Sequence, residues 1–132
     1  MNIVSGSVAS IVTDGHLVLV HVDVGATVLT SIVVDTPEAT RHLEPGVPVQ
    51  VIFKETEVLI GTGAVDHISL RNKLVGTISS IEQGNLLSRI TVRTSIGEIV
   101  SIITSNAARE LGLTRDMEVT AMIKTNEMML SV

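Results

Sequence analysis

The sequence predicts an all-β protein with short helices, built as two small five-stranded barrels in tandem. Three observations carry this. The apolar content is 45%, yet Phe53 is the single aromatic residue, so the core must be Val, Ile, Leu and Met. Branched side chains of this kind suit a pleated, half-buried surface. The chain repeats itself at an offset of 70: Asn2 falls on Asn72, Gly6 on Gly76, Ser31 on Ser101, Leu43 on Leu113, Val49 on Val119 and Lys54 on Lys124. A long period in only two copies means a duplicated domain, not a solenoid. Within each copy, short alternating apolar runs are separated by turn residues.

Taken in order, "GSVASIV" and "GTISSIE" alternate as a first strand. "HLVLVHVDVG" and "LLSRITVRTSIG" give a second strand and a turn, and "TVLTSIVV" and "EIVSIIT" a third. "DTPEATRHLEPG" then carries helix-start chemistry: Asp35 or Thr36 can cap, Pro37 suits the first turn, and Glu38 suits the positive helix end. "TSNAARELGL" mirrors it, with Ser105 expected as the cap and Gly112 as the stop. "VPVQVIF" and "MEVTAMI" make a fourth strand, "EVLIG" and "EMMLS" a fifth. Five short strands and one helix per copy suit an OB-like barrel. The Gly-containing "GTGAVDHI" is the linker. The expected domains are therefore 1–63 and 64–132.

Composition excludes several roles. The net charge of -5 and the near absence of aromatics argue against nucleic-acid binding, which needs a basic groove and stacking rings. The same charge opposes anionic membranes, and no apolar run approaches the ~18 residues of a membrane span. No signal-like segment opens the chain and there is no Cys, which fits a cytoplasmic protein. No enzyme is expected. There is no Cys nucleophile, His16, His21, His42 and His67 have no metal-ligand spacing, and "GTGAVDH" lacks the Lys-Ser/Thr end of a phosphate loop. Glu55 and Glu57, beside Lys54, read as a charged rim rather than an acid–base pair.

The stretch "SLRN" stands out. Ser69 offers a hydroxyl, Arg71 a charged fork, Asn72 an amide, and the backbone at Leu70 and Arg71 further N–H groups. Spacing alone does not separate an oxyanion clamp from a polar linker end with a solvated Arg71. Lys124 and Thr125, at the end of a strand, add a second cation and a hydroxyl. Together these residues donate and bring no carboxylate, as a fully deprotonated dianion requires. The charge is also uneven. Residues 1–63 hold two basic and seven acidic groups, whereas 64–132 hold seven of each, which favours the second copy as the anion-binding one.

The segments "SLRN" with Gly76, "IVSIITSNAARELGL" and "VTAMIKTNEMML" resemble the Mop domain, the molybdate- and tungstate-binding module of molbindins. That module also occurs in molybdate-responsive regulators and in transporter ATPase subunits. The family's usual opening is Ser-Ala-Arg-Asn and then Gly; here it is Ser69-Leu70-Arg71-Asn72 and Gly76. The resemblance covers both copies and is sharper in the second. It implies barrels assembled through exchanged or abutting strands, with a homotrimer of tandem chains favoured over a dimer. It implies no cofactor and no direct protein ligand to metal: molybdate or tungstate is held as an oxyanion where domains meet. Carried over, one site comprises Ser69, the Leu70 amide, Arg71 and Asn72 with Lys124 and Thr125, Lys54 being the alternative lysine. A second kind of site implicates Ser31 and Ser101, with Lys54. The implied role is intracellular storage or homeostasis, or else ligand sensing within a regulator or transporter ATPase. The counterparts of Ser69 and Arg71 fall before or on Met1, so first-copy clamp sites are expected to be empty or weaker.

Overall fold

The computed structural model describes residues 1–34 and 40–132. The helix expected from Asp35 onward falls on residues outside those described. Ten strands form among the described residues: β1 (Asn2–Asp14), β2 (Leu17–Val24), β3 (Thr27–Val34), β4 (Pro48–Phe53), β5 (Leu59–Gly61), β6 (Asn72–Gln83), β7 (Leu87–Thr94), β8 (Gly97–Thr104), β9 (Glu118–Ile123) and β10 (Met129–Ser131). Their positions follow the expected runs. The first strand of each copy is longer than its alternating core suggests, and Gly61, shared by the expected fifth strand and the expected linker, closes β5. A short helix, α1 (Ser105–Glu110), follows β8. Two 3-10 turns, Glu55–Glu57 and Thr125–Glu127, precede the fifth strands.

The strands make two five-stranded antiparallel sheets, in the orders β10-β4-β1-β2-β3 and β5-β9-β6-β7-β8. The fifth strands are exchanged. β5 pairs with β9, Leu59 opposite Met122, while β10 pairs with β4, Met129 opposite Ile52. Each sheet thus takes four strands from one copy and its edge from the other. The outer strands β3 and β10 touch, as do β8 and β5, which curls each sheet toward a barrel.

The exchange joins the interiors. Val20, Val22, Val51 and Phe53 pack in one cluster with Leu74, Ile99, Ala121, Ile123 and Met128, while Ile78, Ile90, Val92 and Val119 form a smaller cluster. A half of this size buries only a modest fraction of its surface, so a shared core adds stability that neither half supplies alone. Gly6 and Gly76 mark where backbones come closest. A Cβ there would lie 2.3 Å from the Asp23 carbonyl oxygen or 2.4 Å from that of Arg93.

The cap of α1 is Thr104, whose Oγ1 accepts from the Ala107 amide at 3.1 Å, not Ser105 as expected. The Ser105 hydroxyl is drawn inward, donating to the Gly84 carbonyl at 2.7 Å and meeting Ser88 Oγ at 2.8 Å. Gly112 does stop the helix. Its φ of +62° is the left-handed turn glycine tolerates best, and the Leu113 amide closes onto the Ala108 carbonyl.

A donor-rich cavity at the seam between the copies

Register places the candidate residues. Asn72 at the start of β6 pairs with Ile123 at the end of β9, so Arg71 and Lys124, one step beyond, face each other. The chain before Asn72 crosses this end of the sheet without regular structure, and the turn Thr125–Glu127 begins beside it. The outcome is a cavity of about 70 Å³ lined by Ser69, Leu70, Arg71, Lys124 and Thr125. That space suits one compact polyatomic ion and is far below the ~300 Å³ and more of drug-sized sites. No carboxylate lines it. Leu70 is buried, whereas Ser69, Arg71 and Lys124 are exposed. Neither Arg71 nor Lys124 forms an ion pair among the described residues.

Asn72 lies beneath the cavity rather than in its wall. It is 1% exposed, and its amide is committed to β3 of the other sheet. Its Nδ2 donates to the Thr30 carbonyl at 2.8 Å, and its Oδ1 accepts from the Thr30 amide at 2.7 Å. Asn72 therefore pins the segment carrying Arg71 to the opposite copy. Asn2 does the same in reverse, bonding the carbonyl and amide of Val100 at 2.8 and 2.9 Å. Sequence reasoning missed this role for Asn2, although its alignment with Asn72 was visible.

Ser31 and Ser101 lie elsewhere. Both are buried, and each spends its hydroxyl proton inside the protein: Ser31 on the Met128 carbonyl at 2.7 Å, Ser101 on the Val58 carbonyl at 2.6 Å. Lys54 is not in the cavity wall but at the same point of the first copy as Lys124 in the second, just before a 3-10 turn.

Glu127, at the end of the turn that follows Lys124, interacts with it electrostatically. Its carboxyl is held above the ordinary value, first by partial burial, then by a hydrogen bond and charge from Glu57, with Lys124 opposing. The two turns thus meet through these carboxyls.

The family model described as the TOBE domain matches residues 1–60 and again 68–130. The cytoplasmic molybdate-binding protein ModG, solved with molybdate bound, superposes with a TM-score of 0.92 at 30% identity, covering 99% of this chain and 95% of that one. Two molybdenum-pterin-binding proteins of Rhodobacter capsulatus are also similar. MopB is 30% identical over 79% of this chain and 39% of its own length; MopA is 26% identical over 98% and 45%. The chain thus spans roughly two fifths of the length of these curated relatives. With that domain matched twice over nearly all its length, and a fold shared end to end with ModG, the chain belongs to the TOBE-domain family as a tandem pair.

Proposed function

We propose that this protein binds molybdate or tungstate as an intact oxyanion, without catalysis, for storage or homeostasis in the cytoplasm. The observation that carries the reading is the cavity of Ser69, Leu70, Arg71, Lys124 and Thr125: two cations, two hydroxyls and backbone N–H groups, with no carboxylate in the wall. Such a set suits a doubly negative tetrahedral ion that accepts hydrogen bonds and donates none. Arg71 and Lys124 supply the charge, Ser69, Thr125 and the Leu70 amide supply directed donors, and Asn72 braces the segment from below. Residues 1–63 and 64–132 are the two copies, the second bearing this site. The relatives named above, which are molybdate- or molybdenum-pterin-binding proteins, support the same ligand class. Self-association as a trimer fits the apolar side chains left exposed, among them Val75, Leu86 and Leu87. Native mass spectrometry with and without molybdate reads oligomer and anion count together.

Calorimetry on Arg71→Ala tests the site. Losing a charge-assisted donor set should weaken binding by about 2–3 kcal/mol, roughly 30- to 150-fold. Unchanged affinity and stoichiometry would reject the assignment. A second reading, a sensing part of a larger regulator or transporter, has one observation in its favour: the curated relatives are more than twice as long. The mass of the native gene product decides between them.

A further inference from the structure

The first copy has the frame of the proposed site but a different occupant. Asn2 pairs with Phe53 as Asn72 pairs with Ile123, and each Asn clasps the third strand of the other copy. Lys54 and Lys124 precede equivalent 3-10 turns with the same alternation of exposed and half-buried residues. The next position breaks the symmetry. Where the second copy has Thr125, a donor in the cavity wall, the first has Glu55, which only accepts. Glu55 Oε1 lies 3.9 Å from Arg89 Nη1 and 3.3 Å from the Met1 amino nitrogen. Arg89 comes from β7 of the second copy, and its counterpart in β2 is Leu19, so the other end of the seam has no equivalent of this cation.

We propose that the Lys54–Arg89 seam is a latent oxyanion site, closed by the Glu55 carboxylate acting as a built-in anion. The inference rests on the proposed function of the second-copy cavity. A tethered carboxylate neutralises Arg89 without the translational entropy that a free ion loses on binding. It also repels an arriving dianion. With Glu55 removed, Arg89 and the Met1 amino group lose the carboxylate that both engage, beside Lys54 in the chain.

The test is Glu55→Thr, which installs the second-copy residue, with Glu55→Gln as a variant that keeps the side-chain shape and removes the charge. Each is made in the wild-type and Arg71→Ala backgrounds, and molybdate is counted by equilibrium dialysis and calorimetry on the full chain. The expected result is one additional anion per chain in both backgrounds, lost again on adding Arg89→Ala. If Glu55→Thr does not fold, Glu55→Gln carries the same expectation. Unchanged counts in folded variants of both backgrounds overturn the inference. So does a wild-type chain whose Lys54 seam is already filled after Arg71→Ala. A wild-type chain that takes up no molybdate, beside a Glu55 variant that takes up one, overturns the reading of the Arg71 cavity but supports the latent site.

Discussion

The two ends of the seam share a backbone and differ in charge. At one, Arg71 and Lys124 face a cavity free of carboxylates; at the other, Lys54 sits beside Glu55, which engages Arg89. Yet the scaffold is kept in both: Asn2 and Asn72 each hold the third strand of the opposite copy, and Ser31 and Ser101 each bond a carbonyl just after a 3-10 turn. The difference teaches that the charged groups at each end and the groups that join the halves are separate residues here. The charge at one end can change without disturbing the fold, because the groups that join the halves are not those that line the cavity.

The sharpest way to break this comparison is to remove the joining groups. Asn72→Ala leaves the part-buried Thr30 amide and carbonyl without their partners and should destabilise the chain by about 2–4 kcal/mol. Asn2→Ala should cost the same within about 1 kcal/mol, since it makes the mirror pair of bonds at Val100. Urea midpoints measure both. Only Asn72→Ala should also weaken molybdate binding, because only it anchors Arg71. Equal loss of binding in both variants would mean that the ends of the seam are not functionally distinct.

The lysines sharpen the comparison with a smaller effect. Lys124→Ala removes one of two exposed cations at the cavity and should lower affinity by about 1–2 kcal/mol, roughly 5- to 30-fold, with solvent screening the rest. Lys54→Ala should leave affinity within about twofold, as Lys54 does not line that cavity. Titration calorimetry at low and moderate salt reads both, and the Lys124 effect should shrink with added salt. A larger loss from Lys54 would place the second cation on the first copy.

The strands were legible because their signals are local, whereas the meeting of Arg71 with Lys124 rather than Lys54 needed the register of β6 and β9. Alternation placed each strand, and donors crowded around Asn72 and Lys124 identified the residues that meet at the seam. The strand exchange was not legible in the residue pattern; only the family resemblance, with its exchanged or abutting strands, pointed to it. Leu59–Gly61 and Met129–Ser131 are equivalent edges, and each matches the fourth strand of either copy equally well, so pattern alone cannot choose a partner. The fate of Ser31 and Ser101 followed from the same blindness. The carbonyls they bond, Met128 and Val58, lead into the exchanged strands. The cap of α1 moved by one residue because Thr104 and Ser105 both offer hydroxyls, and only tertiary packing drew Ser105 inward. Asn72 read as a clamp donor because an amide before a strand looks open until its partner on β3 is known.

The smallest effect lies where the two 3-10 turns meet. Partial burial and then Glu57 raise the Glu127 carboxyl above its ordinary value of 4.5, against Lys124. The folded chain therefore binds this proton more tightly than the unfolded one does. The associated stability is fully present below the unfolded value and is lost as pH rises through the folded value, so stability from this group falls with pH there. Glu127→Gln keeps a donor toward Glu57 and removes the charge. It should flatten that part of the profile and make the chain slightly more stable than wild type at neutral pH. Urea midpoints from about pH 4 to about pH 8 check it. A wild-type profile that instead rises through this window because of Glu127 would mean that Lys124, not Glu57, governs the carboxyl. Lys124 would then already be paired with a carboxylate before any anion arrived.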